Sequence, residues 1–131
     1  MKLTVPYYLH KSSAGFPSPA TDYIEEDIDL NVHLIKNVPA TFVIRVQGKS
    51  MTDVGVNDGD ILVVDKSLKP KNFSTVIANV HDELVVKNFV KENSKQFLTS
   101  GSKKIEDKIF INEEEDVFIW GVVTYVIHSV Y

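Results

Sequence analysis

Thr75-Val76-Ile77-Ala78-Asn79-Val80, then His81-Asp82, then Glu83-Leu84-Val85-Val86-Lys87-Asn88-Phe89-Val90, is the stretch that decides the fold. Two runs rich in β-branched residues, whose stiff side chains suit a pleated surface, flank a polar two-residue step. That combination predicts a β-hairpin. Upstream, Asn57-Asp58-Gly59-Asp60 is a turn signal before a strand at 61–65, and residues 41–46 form a further β-branched and aromatic run closed by Gly48. Downstream, strands are predicted at 96–99, 108–111 and 117–127, with Ser100-Gly101-Ser102 and residues 112–116 as connectors. Residues 29–36 suggest one short helix. The sum is a mainly β, sandwich-like or barrel-like domain of short antiparallel strands over residues 24–131.

The 131 residues, 44% of them apolar, fit one domain with a core of its own. The chain has no cysteine, which excludes disulfide scaffolds, thiolate zinc sites and thiol nucleophiles. Its formal charge is −4, and the first fourteen residues hold Lys2 and Lys11 without an acid, so the remainder is more acidic still. Nucleic-acid binders draw most of their affinity from neutralising phosphates, so this balance argues against direct DNA binding. No apolar run approaches the roughly 20 residues of a membrane-spanning helix. The expected address is cytoplasmic. Residues 1–14 imitate a signal peptide, but the apolar part, Leu3 to Leu9, is short and carries Pro6.

Residues 1–23 hold three of the five prolines, Pro6, Pro17 and Pro19, within a small-residue run, Ser12-Ser13-Ala14-Gly15. Proline keeps the preceding residue extended, so a flexible N-terminal arm is predicted here. Such an arm is either a leader without a role or a protease substrate, since small side chains at Ala14 and Gly15 let it lie in a narrow groove. The acids Asp22, Glu25, Glu26, Asp27 and Asp29 read as a solvated face. A metal site is the weaker alternative, because no spacing fixes ligands and His33 is the only imidazole nearby.

Two positions carry chemistry. In a strand, alternate residues share a face, so Val85, Lys87 and Phe89 point one way and Leu84, Val86 and Asn88 the other, both sides being mainly apolar. A lysine so placed loses hydration, which disfavours the ammonium and leaves a neutral amine able to act as a base. The bland alternative is an edge-strand lysine that snorkels to water. Ser50, in Gln47-Gly48-Lys49-Ser50-Met51, stands at a glycine-marked bend just after a strand: a nucleophile, or a serine that merely caps a turn. Gly-Lys-Ser is not a phosphate loop, because position 43 is Val where that loop has glycine. A serine-histidine-acid triad could draw on His10, His33, His81 or His128, but no spacing favours any of them.

From Ala14 onward the chain resembles the UmuD branch of the LexA/UmuD self-cleaving serine peptidases. The matching segments are Ala14-Gly15-Phe16-Pro17-Ser18-Pro19-Ala20 with Asp22-Tyr23, Ile28-Asp29-Leu30-Asn31, Gly48-Lys49-Ser50-Met51, Asp58-Gly59-Asp60 with Leu62-Val63-Val64-Asp65, Val85-Val86-Lys87, and Val117-Phe118 with Gly121-Val122-Val123. The resemblance implies a strongly bent β-domain in which Ser50 is the nucleophile and Lys87 the general base. The backbone amides of Lys49 and Ser50 would form the oxyanion hole, Ala14-Gly15 would be the cleaved bond, and no metal or cofactor would be needed. It also implies a homodimer, activation by a RecA filament on single-stranded DNA in the SOS response, and a processed form that serves a UmuC-like Y-family polymerase in translesion synthesis. Lys49 departs from the aspartate often found before the serine. The leader is about ten residues shorter than usual, and the fourteen residues before the scissile bond cannot hold the winged-helix DNA-binding domain of LexA-like relatives. Two other classes stay open: a polymerase- or RecA-binding module that does not cleave, and a processing peptidase acting on other proteins. Phe118, Trp120 and Tyr125 offer apolar edges through which such a domain could pair with itself.

Overall fold

A computed structural model of the chain describes residues 3–8, 24–48, 55–101 and 108–131. The chain divides into two compact units, Met1–Lys36 and Asn37–Tyr131.

In the first unit β1 (Thr4–Tyr8) pairs antiparallel with β2 (Ile24–Asp29), Thr4 opposite Asp29 and Pro6 opposite Asp27. Within the arm predicted over residues 1–23, Thr4–Tyr8 is a strand. It accommodates Pro6 because in a two-stranded ribbon every strand is an edge, where a residue without an N–H is tolerated. Because β2 takes its partner from β1, residues 24–36 group with the first unit and not with the β-domain predicted to begin at 24. The helix expected at 29–36 is a single turn, α1 (Leu30–Leu34). The Asp29 side chain caps it by accepting from the Asn31 and Val32 N–H groups at 3.0 and 3.4 Å, and Ile35 is already extended. Among the described residues no group of three or more His, Cys, Asp or Glu side chains could hold a metal ion.

The described residues of the second unit form one antiparallel sheet of seven strands: β3 (Thr41–Arg45), β4 (Ile61–Asp65), β5 (Thr75–Val80), β6 (Glu83–Glu92), β7 (Lys95–Thr99), β8 (Ile109–Phe110) and β9 (Val117–Ile127), in the spatial order β3-β4-β9-β5-β6-β7-β8. The hairpin predicted at 75–90 is β5–β6, with Val80 opposite Glu83. His81 and Asp82 both take positive φ, 50° and 70°, which matches the right-handed twist of the flanking strands. Asn93 and Ser94, at φ 50° and 69°, repeat the device between β6 and β7 and carry β6 two residues past its expected end.

Both faces of the sheet are apolar. Val46, Val56, Leu62, Val64 and Ile77 form one buried cluster, and Val76, Ala78, Phe89, Leu98, Val117 and Val122 the other, so successive residues of β5 enter opposite clusters. Fully burying one such side chain the size of valine or larger contributes about 1.5–3 kcal/mol. Register shifts at Val63/Val64 and Ile77/Ala78, both against β9, are bulges that bend the sheet there. A Cβ on Gly121 of β9 would stand 2.6 Å from Val64 Cγ1, so only glycine permits this close crossing. Of the aromatics expected at a pairing edge, Trp120 is half-buried beside Phe42, ring centroids 5.1 Å apart, and Tyr125 is exposed.

Candidate active site

Lys87 lies in the middle of β6 with a strand on each side: Val76 of β5 stands opposite it, and β7 pairs along the other edge from Asn88 onward. β6 is thus an interior strand of the sheet, and the Lys87 side chain, one residue before the β7 ladder begins, is half-buried. The predicted alternation holds, since Val85 and Phe89 belong to one apolar cluster and Val86 to the other. The Lys87 amine donates to Ser100 Oγ at 3.0 Å.

A groove of about 270 Å³ runs beside it, lined by Ile44, Arg45, Val46 and Gln47 from β3 and the residues after it, and by Val85, Val86 and Lys87 from β6. The chain leading toward Ser50 and the strand carrying Lys87 thus border one space. Ser50 and Lys49, like Ala14 and Gly15, lie outside the described residues.

The approach to Ser50 is held from below by the turn before β4. Val46 N–H donates to the Asp60 carbonyl and Gly59 N–H to the Val46 carbonyl, each at 2.8 Å, while Gly48 N–H donates to Asp58 Oδ1 at 2.9 Å. Gly48 and Gly59 adopt φ of 107° and 87°, a region that penalises a Cβ. Asp60, 2% exposed, accepts from Asn57 N–H through Oδ2 at 2.8 Å and meets His128 Nδ1 through Oδ1 at 2.6 Å. The Asn57 N–H above all, and then the His128 contact, hold its carboxyl below the usual carboxylate range. The His128 contact serves this turn, and His128 does not line the groove with Lys87.

Three contributors were not given their roles from sequence. Asp58 and Asp60 registered as turn formers and as part of a matching segment, not as anchors of the residues before Ser50. Ser100 registered only as a connector, although the hairpin turn at Asn93-Ser94 sets the register that brings it across from Lys87.

Residues 6–124 match the family described as Peptidase S24-like. The chain is 42% identical to Protein ImpA of Escherichia coli over 123 residues, 94% of this chain and 83% of that one. It is 38% identical to Protein MucA of Salmonella typhimurium over 122 residues, with shares of 93% and 83%. The LexA repressor of Pseudomonas chlororaphis is 33% identical over 110 residues, 84% of this chain and 54% of the repressor. A bent β-sheet with these relatives defines a self-cleaving serine peptidase. The chain belongs to the Peptidase S24-like family, in the UmuD branch of the LexA/UmuD group tied to the SOS response.

Proposed function

We propose that Ser50 and Lys87 are the catalytic pair of this chain and that it cuts its own Ala14-Gly15 bond. The observation that carries the reading is the shared groove: Val46 and Gln47, just before Ser50, line it together with Lys87. The neutral Lys87 amine takes the Ser50 hydroxyl proton as the oxygen attacks the Ala14 carbonyl carbon. The backbone amides of Lys49 and Ser50 receive the oxyanion, a contribution of about 3–4 kcal/mol per donor in hydrolases. The Lys87 ammonium then protonates the Gly15 nitrogen, the C–N bond breaks, and the chain beginning at Gly15 leaves. Water, deprotonated by Lys87, hydrolyses the ester at Ser50 and releases the leader as a carboxylate.

Family membership supports the wider setting. The protein works in the cytoplasm as a homodimer, a RecA filament on single-stranded DNA promotes the cleavage, and the processed form joins a UmuC-like Y-family polymerase as its accessory subunit in error-prone translesion synthesis. Mass spectrometry of purified protein tests the core of this: a species starting at Gly15 must accumulate in the parent and be absent from Ser50→Ala and Lys87→Ala.

A further inference from the structure

We infer that Ser100 is a positioning residue for Lys87, a role that rests on Lys87 being the general base. β6 and β7 are joined by Asn93-Ser94 in register, Asn88 opposite Thr99, and one more step places Ser100 directly across from Lys87. Directly opposed residues on antiparallel strands project to the same face with their Cβ atoms about 5 Å apart, within reach of a lysine folding back. The contact is made, Nζ to Oγ at 3.0 Å, and it is partly shielded from water. The backbone under Ser100 is fixed as well: buried Thr99 donates its hydroxyl to the Gly101 carbonyl at 3.1 Å, and Gly101 is buried.

The chemistry suits a base. A neutral amine has two N–H donors and one lone pair, and an ammonium three donors. With one N–H on Ser100 Oγ, the lone pair is left free for the nucleophile's proton. After the transfer the same oxygen still accepts, and another N–H carries the proton to the leaving nitrogen. Ser100 thus orients the amine in both of its states without entering the reaction.

The test is Ser100→Ala beside Ser100→Thr, which keeps the hydroxyl. Ser100→Ala is expected to slow self-cleavage about tenfold, the equivalent of about 1.4 kcal/mol, with the melting temperature unchanged. Ser100→Thr is expected to cleave near the parent rate. Parental cleavage by Ser100→Ala, or equal slowing in both variants, overturns the role. A second readout does not depend on cleavage: in a Ser50→Ala background, with ¹⁵N-labelled lysine, the Lys87 Nζ hydrogens should exchange with water several times faster once Ser100→Ala is added. Equal exchange refutes the contact. If Lys87→Ala instead cleaves like the parent, the catalytic pair is misassigned, and the exchange comparison still reads the Lys87–Ser100 bond alone.

Discussion

His128 Nδ1 stands 2.6 Å from Oδ1 of Asp60, which ties the residue just past β9 to the turn beneath the Ser50 approach. A carboxylate held below its ordinary range stabilises the fold at pH values above its unfolded pKa, and that contribution is lost as pH falls through the lower folded value. The melting temperature of Asp60→Asn should therefore trail the parent most near neutral pH. The gap should close as the solution is acidified below about pH 4. Thermal melts that keep a constant gap from about pH 7 to about pH 2.5 would contradict this.

Asp58 acts on one backbone group, the Gly48 N–H two residues before Ser50. Asp58→Ala leaves the exposed turn folded and frees that N–H. Self-cleavage should slow about three- to tenfold, the size expected from losing one hydrogen bond of about 0.5–1.5 kcal/mol. An unaltered rate by mass spectrometry would show that cleavage does not depend on this anchor.

At Gly121 a methyl group meets Val64 Cγ1 at 2.6 Å, at a point where both residues are buried. Gly121→Ala should cost about 1–3 kcal/mol in denaturant unfolding, the usual penalty of overpacking. Truncating Val64 in the same chain relieves the clash, so the double variant Gly121→Ala/Val64→Ala should cost less than the two single changes added together.

The proposed Ser50–Lys87 pair makes the rate of self-cleavage depend on both side chains. Ser50→Ala and Lys87→Ala should each reduce the rate by at least about a thousandfold, as loss of a nucleophile or its base does in other serine hydrolases. A chain that shortens equally fast with either residue replaced excludes this pair.

The β5–β6 hairpin was legible because its pattern is local: stiff branched residues on both sides of a polar pair. The alternation that sets Val85, Lys87 and Phe89 apart from Val86 was legible for the same reason. β1 was not, because its partner lies some twenty residues away across the prolines, and pairing over that distance leaves no local mark. The burial of Lys87 was ambiguous from one strand alone; the flanking strands β5 and β7 resolve it. Ser100 was hidden by the same limit, since its meeting with Lys87 depends on Asn93 and Ser94 taking positive φ, a conformation glycine announces more loudly. Ser50 and the Ala14-Gly15 bond were singled out by a glycine-marked bend, by small side chains and by motif resemblance, and they lie outside the described residues.

β9 is the last strand in the chain, yet it occupies the centre of the sheet between β4 and β5. Take Val117–Ile127 away and β3 keeps only β4 while β5 keeps β6 and β7, with no ladder joining the two groups. The strands that line the groove, β3 on one side and β6 on the other, are linked through β9 and its two ladders. Any change that loosens β9 therefore uncouples the two groups of strands without touching either one's own hairpin.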